Sequence, residues 1–167
     1  PLDGWPATQE FFDTTQAGLS SLSLTPKIIS TGGTPNLINL GLLDGATEHR
    51  SGTSIFNDRM MMAAGVANIE DCALTVYTSV VSRAEDTRGI LDAGSKTLTP
   101  DTGGLDGFGL VLEHPKARIH KMAEEHGFID ISNCESRPSI GDILRVVPNH
   151  VCVVVNMFDH LVAVRGN

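Results

Sequence analysis

The residues best suited to chemistry lie near the C-terminus, in Val146-Val147-Pro148-Asn149-His150-Val151-Cys152-Val153-Val154-Val155-Asn156. The valine run predicts a β-strand. Alternate side chains of a strand share a face, which sets the His150 imidazole beside the Cys152 thiol. A neutral imidazole and a thiolate are good ligands for a zinc-like ion. Two ligands are too few for a closed structural site, so the pair implies an open ion with positions left for water, substrate or other side chains. A cysteine in a valine-rich strand is also simply a small buried hydrophobe. On the pair alone that packing reading prevails; the rest of the chain shifts the balance.

Gly32-Gly33-Thr34 stands where a strand over Lys27 to Ser30 turns into a helix, with Thr34 as N-cap and Pro35 at the first helical position. Glycines let the backbone approach an anion, and amides at a helix start favour negative charge. The same residues also make an ordinary strand-to-helix turn. Asp92-Ala93-Gly94-Ser95-Lys96 places a carboxylate and an ammonium at a strand end, where they either meet a ligand or form a solvated ion pair. Glu124-Glu125-His126-Gly127 sets two acids next to a histidine that one of them could orient; an exposed acidic turn explains it equally well. His49, His114, His120 and His160 sit among charges and turns and read as surface residues. Met60, Met61 and Met62 read as apolar filler.

The elements that must position these groups change character along the chain. A short helix over residues 8–18, the strand at 27–30 and the helix from Thr34 form a βα segment. From about Ile69 the pattern becomes short β-branched runs separated by glycine and proline turns: 72–82, 88–93, 108–113, 116–124, 137–148, 151–157 and 161–164. Such a series indicates a mostly β fold, a barrel or sandwich, with the boundary near residues 65–69. The 167 residues suit one domain or slightly more. A net charge of −8 with no basic stripe argues against a nucleic-acid partner. No apolar run approaches the roughly 20 residues of a membrane span. Cys72, Cys134 and Cys152 have no paired spacing, which points to a reducing, cytoplasmic setting. The start at Pro1, with neither initiator methionine nor signal peptide, suggests the interior of a longer protein.

In order, Ser30-Thr31-Gly32-Gly33-Thr34-Pro35, Glu48-His49-Arg50-Ser51-Gly52-Thr53, Phe56-Asn57-Asp58, Asp92-Ala93-Gly94-Ser95-Lys96, Glu124-Glu125-His126-Gly127 and Pro148-Asn149-His150-Val151-Cys152 resemble the C-terminal part of the D-threonine aldolase and D-serine dehydratase family. These are metal-activated, pyridoxal phosphate-dependent enzymes with an alanine racemase-type fold. The resemblance implies that residues 1–66 are the terminal βα portion of an incomplete (β/α)8 cofactor-binding barrel plus a connector, and that residues 67–167 are the β domain carrying the metal site. It assigns Gly32, Gly33 and Thr34 to the cofactor phosphate, in keeping with where barrels hold phosphate. It assigns His150 and Cys152 to a zinc or manganese ion.

The resemblance further implies a lyase acting on D-3-hydroxy amino acids. The dehydratase branch resembles this chain in carrying His-x-Cys, whereas the aldolase branch tends to carry His-x-Asp, so Cys152 tilts the expectation toward β-elimination. The family's Schiff-base lysine lies near the start of the barrel, outside this sequence, so no catalytic residue is expected here and the chain alone is expected to be inactive. Ser54 stands where the family commonly has tyrosine. A single βα unit of a barrel cannot bury its own faces, so residues 1 to about 60 should pack against another copy or a further partner segment, or be poorly ordered. Two other functions fit the residues less well: a non-catalytic dimerisation module, and part of an amino-acid racemase, which has no need of a metal at a β-hydroxyl.

Overall fold

A computed structural model describes residues 4–165, in two compact units divided between Ser54 and Ile55. The boundary expected at 66/67 therefore falls inside the second unit. No helix among the described residues is long and apolar enough to cross a membrane.

In the first unit, helix α1 (Trp5–Ser21) carries proline in its first turn, where the missing N–H costs nothing, and runs past Gly18 rather than closing there. Two short strands, β1 (Ser30–Gly32) and β2 (Glu48–Arg50), pair in parallel with Ser30 opposite Glu48, Thr31 opposite His49 and Gly32 opposite Arg50. Parallel neighbours need a crossover, which here includes a 3-10 helix, Thr34–Leu42. The strand–turn–helix order is the expected one, with two differences. The strand is displaced toward the glycines, and the cap is Gly33, not Thr34. Gly33 has φ +96° and ψ 118°, a conformation a side chain would resist, and this leaves Thr34 inside the helix with its side chain buried. Ile28, Ile38 and Leu42 remain exposed.

The second unit is a six-stranded antiparallel sheet in the order β5-β8-β3-β4-β7-β6. Its strands are β3 (Val76–Glu85), β4 (Arg88–Leu91), β5 (Leu110–Val111), β6 (Arg118–Met122), β7 (Gly127–Asp130) and β8 (Ile143–Val147). Along β3, Val76, Thr78 and Val80 are buried while Tyr77 faces water, the period-2 alternation of a half-buried strand. Leu91, Val111, Ile119, Ile129, Ile131, Leu144 and Val146 complete the core. The Phe108 amide, just before β5, donates to the Ile119 carbonyl of β6 at 3.0 Å, bringing the two margins of the sheet together into a nearly closed barrel. The mostly β architecture thus matches expectation, although β7 went unrecognised in the sequence.

One departure matters for the site. Residues 151–157 do not continue a strand. The chain leaves β8 at Val147, and Val151–Val155 form a short helix, α4. Pro148 has no N–H for a ladder, which ends pairing there. Val151 and Val154 are buried and Cys152 is exposed, a helical rather than a strand alternation. Residues 161–164 likewise form no strand. Two further short helices, α2 (Arg59–Ala63) and α3 (Ser95–Leu98), complete this unit.

Candidate functional site

The ground on which His150 stands is built from two distant segments. Asp58, fully buried, is the N-cap of α2: its Oδ1 accepts from the Met61 amide at 2.9 Å, while its Oδ2 accepts from the Val151 amide at 2.8 Å. One carboxylate therefore caps α2 and the first turn of α4. The backbone adds to the join, with the Arg59 amide donating to the Pro148 carbonyl and the Met60 amide to the Asn149 carbonyl, each at 3.1 Å. Both polar atoms of the buried Asn149 side chain are engaged. Its Oδ1 accepts from Arg59 Nη1 at 2.6 Å and from the Gly109 amide at 3.1 Å, and its Nδ2 donates to the Gly107 carbonyl at 2.8 Å. Burial pushes the Arg59 guanidinium down, opposed by the nearby Asp106 carboxylate.

His150 is the N-cap residue of α4 and Cys152 its second residue. The face-sharing of a strand is therefore not what relates them; they are the cap and the second residue of a short helix. His150 Nδ1 lies 2.6 Å from Asp101 Oδ2, with 28% of the histidine side chain exposed. The other oxygen of Asp101 accepts from the Gly103 amide at 2.9 Å. The His150 hydrogen bond, followed by that amide, holds the Asp101 carboxyl below its ordinary range. A carboxylate only accepts, so the shared proton sits on Nδ1; whenever the ring is neutral, its lone pair is on Nε2. No group of three or more His, Cys, Asp or Glu among the described residues is arranged to hold a metal.

The glycine turn of the first unit is more inward-looking than its sequence suggests. The Gly33 amide donates to the Arg50 carbonyl at 3.1 Å. The Thr34 hydroxyl lies 3.2 Å from the Ser51 hydroxyl and accepts from the Ser54 amide at 3.2 Å. Beside it is an open pocket of about 300 Å³ lined in part by Thr31, Gly32, Asn36 and His49. His49 is not the surface residue expected: its Nδ1 is 2.7 Å from the Thr31 hydroxyl, and its Nε2 is buried with no hydrogen-bond partner.

Other candidates resolve into structure. Lys96 is exposed and pairs with Glu124 at 3.0 Å and Glu125 at 2.8 Å, which raises its pKa and leaves these carboxylates engaged with lysine. Gly94 is required by packing, since a Cβ there would stand 2.4 Å from the Glu124 carbonyl oxygen. Asp92 Oδ1 accepts from the Thr78 hydroxyl and the Ser79 amide, both at 2.7 Å. Burial pushes its carboxyl up, but these bonds outweigh it and hold it below its usual range. Met61 is buried and Met60 packs on Gly103, as filler would.

The sequence reading missed Asp58, Asp101 and Asn149. For Asp58 a signal existed, an acid directly before Arg59-Met60-Met61 in the N-cap position. For Asp101, a residue in a glycine turn, nothing local foretells a partner 49 positions away.

The family model described as "Putative serine dehydratase domain" matches residues 73–164. An uncharacterized protein of Mycobacterium tuberculosis (strain ATCC 25618 / H37Rv) is 36% identical over 116 residues, which is 66% of this chain and 87% of that protein. D-threo-3-hydroxyaspartate dehydratase of Delftia sp. (strain HT23) is 30% identical over 157 residues, 84% of this chain and 41% of the enzyme, so the chain spans less than half of that relative. A solved structure of a D-threo-3-hydroxyaspartate dehydratase, a cysteine-to-alanine mutant in the metal-free form, superposes with a TM-score of 0.76 at 29% identity, covering 92% of this chain and 47% of the other. With a match over more than half its residues and relatives that include D-serine dehydratase and D-threonine aldolase, this chain belongs to the serine dehydratase domain family.

Proposed function

We propose that this chain supplies the metal-binding part of a lyase acting on D-3-hydroxy amino acids, with pyridoxal phosphate and a divalent ion, zinc or manganese, as its working groups and dehydration as its outcome. One observation carries the reading: His150 opens α4 with Nδ1 held by a carboxylate, and an exposed thiol follows two residues later. Solved structures of D-threo-3-hydroxyaspartate dehydratase include variants altered at a histidine and at a cysteine two positions further on, the latter described as metal-free. The same His-x-Cys spacing favours elimination over aldol cleavage.

The donor set fits the ion. An imidazole nitrogen and a thiolate sulfur suit zinc, and two protein ligands leave positions for a substrate oxygen. The fit of a phosphate to Gly32, Gly33 and Thr34 is narrower, because the Gly33 amide and the Thr34 hydroxyl already have partners. An anion there would rest on the electropositive start of the 3-10 helix and on exchange of the hydroxyl bonds. The exposed Ile28, Ile38 and Leu42 support reading the first unit as the last strands of a barrel, covered by further strands or by a second copy.

When bound, the ion supplies a Lewis acid for the substrate's β-hydroxyl, and pyridoxal phosphate supplies an electron sink at Cα. The chain's own part is to hold and orient. His150 and Cys152 would hold the ion, and Asp58 with Asn149 fixes the backbone beneath them. No residue here is assigned to proton removal at Cα.

The test is zinc content after equilibrium dialysis of the purified chain. Stoichiometric zinc that disappears in both His150→Ala and Cys152→Ala is expected. Zinc retained by either variant at the wild-type level overturns the assignment.

A further inference from the structure

We infer that Asp101 is a positioning residue for His150, setting the tautomer and aim of its ring so that Nε2 is presented to a divalent cation. The inference rests on the metal reading above and adds to it a residue that is neither a ligand nor a neighbour in sequence.

Three observations carry it. The first is the 2.6 Å contact from Asp101 Oδ2 to His150 Nδ1, which leaves Nε2 as the ring's only lone-pair donor. Outer carboxylates of this kind fix the tautomer of metal-binding histidines and raise their basicity. The second is that both carboxylate oxygens are committed, Oδ1 to the Gly103 amide, so the carboxylate cannot rotate without losing a bond.

The third is the cost the chain sustains to put Asp101 there. Thr99, two residues earlier, adopts φ 60° and ψ 156°, a conformation disfavoured for a β-branched residue, and its buried hydroxyl has no partner. Gly103, at φ +57°, lies so close to Met60 that a Cβ would stand 2.5 Å from Sδ. Farther along the same loop, Gly107 and Gly109 are tied to the side chain of Asn149, the residue before His150. The loop is thus anchored to the segment that bears the histidine.

The decisive variant is Asp101→Asn. The amide oxygen can keep the Gly103 bond, which preserves the turn. The amide nitrogen then replaces Oδ2 and donates to Nδ1, forcing the ring proton onto Nε2, the atom the cation needs. Asp106→Asn is the control: this loop carboxylate pairs with Arg118 and removes the same charge without facing His150.

The experiment uses the full metal-free chain at neutral pH. Long-range proton–nitrogen spectra report the His150 tautomer, and calorimetric titration with zinc reports affinity. Expected are an Nδ1–H ring in the wild type, an Nε2–H ring in Asp101→Asn, and a zinc affinity about 10- to 100-fold weaker in Asp101→Asn but unchanged in Asp106→Asn. An Nε2–H ring in the wild type overturns the inference even if no variant folds. Equal weakening in Asp106→Asn, or wild-type affinity in Asp101→Asn while His150→Ala abolishes binding, overturns it and leaves the metal reading standing. Zinc binding that survives His150→Ala removes the metal reading itself, and the inference with it.

Discussion

The carboxylate of Asp58 reaches the amide of Val151, 93 positions later, at 2.8 Å. This bond explains why a run of valines forms a helix. Intrinsic preference favours a strand at Val151–Val155, but a buried acceptor waiting at the first amide starts a helical turn, and Val151 and Val154 then bury on one side.

Because the same carboxylate also caps α2, Asp58→Ala leaves two amides without their acceptor in a buried place. We expect a loss of about 2–6 kcal/mol, from two unsatisfied buried donors at about 1–3 kcal/mol each. Urea unfolding of the second unit measures it. A loss below about 0.5 kcal/mol would show that water replaces the carboxylate there.

Glycine substitutions should separate sharply by place. Gly94→Ala drives a methyl into the backbone at Glu124 and His126, 2.4 Å from each, and overpacking of this kind costs about 1–3 kcal/mol or more. Gly18→Ala, in the interior of α1 with nothing within 4 Å, should instead stabilise its helix by about 0.5–1 kcal/mol. Thermal melts of the two variants should move in opposite directions.

Thr99→Gly removes a strained side chain and an unpartnered hydroxyl together. The expected outcome is a gain of about 1 kcal/mol in unfolding free energy. Combined with zinc titration it also asks whether the strain serves the loop: a more stable protein with weaker zinc binding is the expected pair of results.

Acid should act through Asp92. Its folded pKa lies below the ordinary value because bonds from Thr78 and Ser79 outweigh burial. A depressed carboxyl contributes stability that is present above its unfolded pKa of about 3.9 and is lost as pH falls through the lower folded value. Urea midpoints should therefore decline below about pH 4, and Asp92→Asn should flatten that decline. An unchanged slope in the variant would place the acid sensitivity elsewhere, for instance at Asp130 or Glu113, whose carboxyls are also held low.

How far these features could be read beforehand depended on whether their causes are local. The β-branched run over 72–82 announced a strand because branched side chains suit a pleated, half-buried surface, and β3 over Val76–Glu85 lies largely within it. Ser30-Thr31-Gly32-Gly33-Thr34-Pro35 announced a turn into a helix because glycine and proline act on their own backbone. The valines after His150 misled because the deciding group, Asp58, lies far away in sequence. The same distance hid the join between Asp101 and His150. The Gly33 cap was one residue off because a left-handed glycine satisfies the turn before threonine can. A solvated ion pair at Lys96 was legible but its partners were not: the sequence set Lys96 with Asp92, whereas Gly94 pressed on the Glu124 backbone brings Lys96 to Glu124 and Glu125 and leaves Asp92 to Thr78 and Ser79.

The stitch from Phe108 to Ile119 draws the margins of the larger sheet together, whereas among the described residues the parallel ribbon of β1 and β2 has no third strand on either flank and has greasy side chains nearby. Such flanks recruit stray peptide segments and seed clumping. On heating or concentration, the polypeptide should begin to precipitate from its N-terminal ribbon while the barrel that carries His150 is still intact.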